Sequence, residues 1–161
     1  NAAVAIEVAS ALQKTGAAVT EENIRNGLAE TRWPGRLEII RKDSKIWILD
    51  GAHNVAAAEC LAETLLECWP DTKFTAVTGV FRDKEYSKIT EILSGVLDHA
   101  ICIDLPDVGR SLPKEELAAV YEKVGVKSDV SDSIETAIKQ ATNDAVLVTG
   151  SLSLLRSAKI S

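Results

Sequence analysis

The sequence predicts an α/β fold: a mostly parallel sheet of about six strands, helices on both faces, and an antiparallel edge. Three observations carry this. Short apolar runs of strand length, such as residues 145–149, recur along the chain. Between them lie segments whose apolar residues repeat at helical spacing. The first two strands, 37–42 and 45–50, follow each other directly and so form a hairpin.

The elements follow in order. Val4, Val8 and Leu12 recur at helical spacing among alanines, and Gly16 ends that first helix. Thr20 with Glu21 and Glu22 reads as a cap and an acid-rich first turn for a second helix through Leu28. After the hairpin, a helix from about Asn54 carries Leu61, Leu65 and Trp69 on one stripe. Residues 73–78 form a strand, and Ile89, Leu93 and Val96 mark a helix. A strand over 100–105 precedes a helix opened by Pro113 and carrying Leu117, Val120 and Val124. Residues 127–130 are a short strand. Asp132 with Glu135 reads as a capping box for a helix through Ala141. The strand 145–149 is the last, and Ser151 starts a closing helix. The result is a Rossmann-like three-layer sandwich.

With 161 residues the chain is one domain, or a domain with an appendage. Apolar residues at 46% and charged residues at 26% fit a globular protein rather than a disordered one. The net charge of −6 argues against a nucleic-acid partner, which needs a concentrated positive surface. No apolar stretch reaches membrane-spanning length and no signal peptide precedes the fold, so no membrane partner is expected. Cys60, Cys68 and Cys102 are odd in number and lack metal-ligand spacing; reduced thiols in a cytoplasmic protein are expected. A start at Asn1 with no Met suggests an excised fragment.

Chemistry concentrates where strands end, because every strand of a parallel sheet delivers its carboxyl end to the same edge. Four such ends carry reactive or binding groups: Asp50, the loop from Gly79 to Lys84, Asp104, and Gly150-Ser151. Asp50 lies where the apolar run Ile46-Trp47-Ile48-Leu49 gives way to a glycine turn and a helix. Arg36 follows the rigid turn Pro34-Gly35. A cation for phosphate and an anion for ribose hydroxyls divide the work around a nucleotide. Each residue also has a plain structural role open to it. An Asp after a strand caps the next turn, and arginines are commonly surface cations. Asn54 and Ser151 are ready helix caps, Lys84 is a solvated lysine, and His99 is structural. Absent are a G-x-x-x-x-G-K-[ST] phosphate loop, an obvious Mg²⁺-ligand set, and any G-x-G-x-x-G after a strand; the last counts against a dinucleotide oxidoreductase.

The segment Trp33-Pro34-Gly35-Arg36-Leu37-Glu38 with Asp50-Gly51-Ala52-His53-Asn54 resembles the carboxy-terminal region of folylpolyglutamate synthase and dihydrofolate synthase, members of the Mur ligase superfamily. Thr78-Gly79-Val80-Phe81-Arg82-Asp83-Lys84-Glu85 and Val148-Thr149-Gly150-Ser151-Leu152 agree in order and approximate spacing. The resemblance implies that residues 1–33 are the last helices of a central ATPase domain plus linker, and 34–161 the carboxy-terminal domain. It implies an ATP-dependent ligase that adds L-glutamate to folate, to dihydropteroate, or to both, through an acyl phosphate. The cofactors implied are ATP and Mg²⁺, with the metal ligands in the central domain and none in this chain.

By the same resemblance Arg36, His53 and Lys84 are the catalytic candidates, and Asn1, Arg36, Asp50, His53 and Asn54 the nucleotide-binding ones. Lys84, fixed by Asp83, and Ser151 would hold the incoming glutamate. The partners are these small molecules and the amino-terminal ATPase domain of the same chain, without which the fragment is expected to be inactive. A non-catalytic nucleotide-binding module and a cell-wall Mur ligase domain are the alternatives.

Overall fold

The structure, a computed structural model, describes residues 2–107, 109–158 and 160. It divides into two compact units, Asn1–Pro34 and Gly35–Ser161. The first holds helices α1 (Ala2–Lys14) and α2 (Glu21–Glu30), neither of which buries a residue. The α1 stripe of Val4, Val8 and Leu12 is exposed. Helix α2 is capped reciprocally: the Thr20 hydroxyl accepts from the Asn23 amide, and the Asn23 side chain accepts from the Thr20 amide.

The second unit contains one six-stranded sheet in the order β1-β2-β6-β3-β4-β5. The strands are β1 (Glu38–Lys42), β2 (Lys45–Asp50), β3 (Phe74–Thr78), β4 (Leu97–Cys102), β5 (Lys127–Val130) and β6 (Ala145–Thr149). Only β1 is antiparallel, paired to β2 from Glu38↔Leu49 to Lys42↔Lys45. Asp43 and Ser44 join them, both with positive φ (51° and 64°), the backbone that a tight two-residue hairpin requires.

From β2 the chain steps rightwards through α3 (Val55–Cys68), β3, α4 (Tyr86–Ser94), β4, α5 (Lys114–Lys123) and β5. It then returns through α6 (Ile134–Gln140) to place β6 between β2 and β3, before closing with α7 (Leu152–Ser157). Right-handed crossovers taken in opposite directions put their helices on opposite faces. Accordingly Leu61, Leu65, Ile89, Leu93, Leu117 and Tyr121 pack with Ile48, Ala76, Ala100 and Leu147 on one face. Ile134, Ala137 and Leu154 pack with Trp47, Val77, Ile101 and Val148 on the other. The three-layer α/β sandwich with an antiparallel edge is therefore the observed fold. Strands β3 and β6, covered on both faces, are buried along their whole length.

Three local expectations are corrected. The strand expected over 100–105 is β4, Leu97–Cys102. Its pairing ends where the short β5 ends, at Cys102↔Val130, so Ile103 and Leu105 are buried in a loop rather than in a ladder. Val96 lies in the turn before β4, not in α4, which stops at Ser94. The cap of α6 is Ser133, whose hydroxyl accepts from the Thr136 amide. Asp132 instead pairs with Lys114. No helix among the described residues is long and apolar enough to cross a membrane.

Candidate functional site

The sheet's carboxyl edge is level. Asp50 stands opposite Thr149, Thr149 opposite Thr78, and Thr78 opposite Cys102. Glycine follows three of these four positions, at Gly51, Gly150 and Gly79. Gly150 has φ +110°, and a Cβ there would run into the Gly79 carbonyl. The loops leaving β6 and β3 therefore meet backbone to backbone, above the crevice made where β6 returns between β2 and β3.

At the β2 end, the Asp50 carboxylate holds the hairpin entrance. Its Oδ2 accepts from the Leu37 amide at 2.8 Å and its Oδ1 from the Ala52 amide at 2.9 Å. The Gly51 amide donates to the Gly35 carbonyl at 2.9 Å, and the Gly35 amide to the Glu38 carboxylate at 2.9 Å. Leu37 is held at φ +44°, a strained backbone for a branched side chain. These bonds fix the chain on either side of Arg36. Its side chain is exposed and makes no ion pair among the described residues. The turn-capping role open to Asp50 in the sequence is thus one it fills. A carboxylate oxygen has more than one lone pair, so capping does not exhaust it.

A cleft of about 280 Å³ lies beside this corner, lined by His53, Phe81, Lys84, Arg110, Ser151, Leu152 and Ser153. Its walls come from the loops after β2, β3, β4 and β6. Of the residues singled out in the sequence, His53, Lys84 and Ser151 are brought together here; Arg36, Asp50 and Asn54 do not line this cleft. His53 donates from Nδ1 to the Gly51 carbonyl at 2.8 Å, which leaves Nε2 as the acceptor of the neutral ring. Lys84 pairs with Asp83 at 3.1 Å. That hydrogen bond from Lys84 holds the Asp83 carboxyl below its usual range. Ser151 is buried and caps α7, accepting from the Ser153 amide at 3.2 Å.

The remaining candidates have local work. Asn54 caps α3, accepting from the Ala57 amide at 2.9 Å. Asp104 accepts from the Lys114 amide at the start of α5. His99 is in β4 and bonds Asp129 of β5 at 2.9 Å. Asn1 lies outside the described residues. Among the described residues no three His, Cys, Asp or Glu side chains gather into a group that could hold a metal ion.

Sequence reasoning missed Arg110 and Phe81. The Arg110 guanidinium lies 4.5 Å from the centre of the Phe81 ring, an attractive cation–π arrangement. The available signal was position: the segment around Gly109-Arg110 follows β4, at the same sheet edge as Lys84.

Residues 35–152 match the family described as "Mur ligase, glutamate ligase domain". The chain belongs to this family. A probable bifunctional folylpolyglutamate synthase/dihydropteroate synthase of Halobacterium salinarum is 37% identical over 94% of this chain and 19% of that protein. The crystal structure of folylpolyglutamate synthase from Thermotoga maritima superimposes with a TM-score of 0.78 at 32% identity, over 96% of this chain and 35% of that one. A bifunctional folylpolyglutamate synthase/dihydrofolate synthase from Yersinia pestis, complexed with AMPPNP and Mn ion, gives a TM-score of 0.77 at 30% identity, over 89% of this chain and 35% of that one. The chain thus spans about a third of the length of these structural relatives, and its six-stranded sheet is their carboxy-terminal ligase fold.

Proposed function

We propose that this chain is the carboxy-terminal domain of an ATP-dependent ligase that joins L-glutamate to a folate, to dihydropteroate, or to both. The observation that carries the reading is the cleft itself. Loops from three strand ends deliver His53, Lys84 and Ser151 to one place, next to the corner where Asp50 accepts from the Leu37 amide that follows Arg36. ATP supplies the phosphoryl group that converts a carboxylate, a poor acylating agent, into an acyl phosphate. The chain's own residues bind and orient. Arg36, held by a rigid and doubly anchored turn, offers its planar fork to the phosphates. Asp50, fixed by two amides, offers its remaining lone pairs to the ribose hydroxyls. His53 orients the nucleotide through Nε2, on a turn that Asn54 secures by capping α3.

Lys84 and Ser151 hold the glutamate so that its amine meets the activated carboxylate. Closure over the cleft at the linker before Gly35 would exclude the water that hydrolyses acyl phosphates. The relative bound to AMPPNP and Mn ion supports a nucleotide with a divalent metal, which we assign as ATP with Mg²⁺; the metal's ligands then come from the central ATPase domain that precedes this one. The three free thiols are in keeping with work in the cytoplasm.

The chain in its full reading frame is expected to release ADP only when glutamate and a folate or dihydropteroate are both supplied. The 161-residue chain by itself is expected to ligate nothing, and to show weak or undetectable heat with ATP–Mg²⁺ in calorimetry. Tight nucleotide binding by the isolated chain would favour a self-sufficient binding module instead, and pteroyl-glutamate formation by it would overturn the shared-site reading.

A further inference from the structure

Two cations line the cleft, on two different loops: Lys84 after β3 and Arg110 after β4. The loops are fastened to each other. Phe81 and Ser111 form an antiparallel bridge. The Arg82 amide donates to the Arg110 carbonyl at 2.8 Å, and the Leu112 amide to the Val80 carbonyl at 2.9 Å. Ser111 is buried and accepts from the Leu105 amide at 2.9 Å while donating to the Leu112 carbonyl at 3.1 Å. The backbone beneath Arg110 is therefore tied to the β3 loop on both sides, although it lies in a loop itself.

The side chain is guided too. The guanidinium sits over the Phe81 ring at 4.5 Å, which orients a planar fork whose donors suit a carboxylate. Its acidic neighbours hold it loosely. Asp83 is 3.5 Å away and Asp107 is 3.9 Å away, both longer than the roughly 2.7–2.9 Å of a strong charge-assisted bond. Asp83 touches both cations, at 3.1 Å from Lys84 and 3.5 Å from Arg110. It is the internal anion that keeps the two positive groups side by side.

We infer that Arg110 is a specificity-determining residue of this cleft: it and Lys84 each receive one carboxylate, so that the site selects an amino acid carrying two. The inference rests on the reading of the cleft as the amino-acid site. A single cation would accept any amino acid through its α-carboxylate. A second one, on a second loop, gives the side-chain carboxylate a partner that a neutral analogue cannot match, so the analogue forgoes one charge-assisted pair. Asp83 and Asp107 then act as placeholders, which a ligand offering a better-aligned pair of oxygens displaces.

The test uses the full-length protein and three amino acids: L-glutamate, L-glutamine and L-isoglutamine. The last two each lack one carboxylate, the side-chain and the α one respectively. Arg110→Ala is expected to raise the KM for glutamate by about 10- to 100-fold, in the range of a lost charge-assisted pair, with the KM for ATP unchanged. It should also abolish the preference for glutamate over one of the two amides and retain it over the other. Lys84→Ala should show the complementary loss. Arg110→Lys, which keeps the charge but not the fork, should recover part of the affinity, and it serves as the reporter if the alanine variant does not fold. Unchanged glutamate KM and unchanged preferences in Arg110→Ala would overturn the inference while leaving the ligase reading intact. So would equal loss against both amides. A wild-type protein that ligates no glutamate would remove the ligase reading, and the inference with it.

Discussion

Two carboxylates at the same sheet edge, Asp50 at the end of β2 and Asp83 after β3, do opposite kinds of work. Asp50 accepts from two backbone amides and holds loops together. Asp83 accepts from two side-chain cations, Lys84 and Arg110, and holds charges together. The first ties the fold at a place where function is proposed, through a half-buried group with fixed partners. The second sits in solvent beside the cleft, and its partners are free to exchange. A carboxylate at a strand's end is therefore not one signal. What it does depends on whether amides or cations reach it first.

That contrast breaks most sharply at Arg36, which Asp50 positions through the backbone. In the full-length protein Arg36→Ala is expected to lower kcat of the proposed ligation by about 10²- to 10³-fold, the effect of removing one group that stabilises developing charge. Its urea midpoint should not move, because the side chain is exposed and unpaired among the described residues. Asp50→Ala should do the reverse on the structural side. Losing a charged acceptor for two amides costs about 3 kcal/mol, read as a lower urea midpoint of the 161-residue chain. A wild-type midpoint for that variant would mean the clamp is decorative.

Smaller effects sharpen the other side. Lys84→Ala should leave the midpoint where it is, since Asp83 and Lys84 are partly solvated; a clear fall would make that pair structural like Asp50. Asp83 has a lowered pKa in the folded chain, so whatever it contributes is present above pH 3.8 and lost as the pH falls through the lowered value. A separate change, read against pH, concerns Cys102, in the strand between these regions and the far edge. Burial raises its thiol from 9.0 to about 12. The native state thus keeps a proton that the unfolded state gives up, and stability present below pH 9 declines between pH 9 and 12. A thiol reagent at pH 8 should label the exposed Cys60 and Cys68 quickly and Cys102 only on unfolding. Three equally fast thiols would show that the sheet opens more readily than its burial implies.

Much of the fold was legible because it rests on period and punctuation. The apolar runs of β3 and β6, the cap Asn54 and the crowding glycines 79 and 150 all mark themselves in the sequence. The limits of β4 did not, because Ile103 and Leu105 are as apolar as the strand before them and the ladder ends only where the neighbours β3 and β5 end. Asp132, read as the cap of α6, yields that place to Ser133, because Lys114 from a different helix pairs with it. Within the site, Lys84 and Ser151 were readable from strand-end position and His53 from the family resemblance, whereas Arg110 was not. Its place depends on a bridge between Phe81 and Ser111 that joins two loops far apart in the chain.

The sequence alone determined the order of elements, the apolar stripe of each helix and the strand ends that carry candidate residues, because hydrophobic spacing and crossover handedness are local rules that act wherever the pattern occurs. Only the tertiary structure decided which of those residues meet. It placed Asp50 on amides, Asp83 on cations and Arg110 over an aromatic ring. Hydrogen bonds and ion pairs act over a few ångströms, and the distances between loops are set by the packed sheet beneath them.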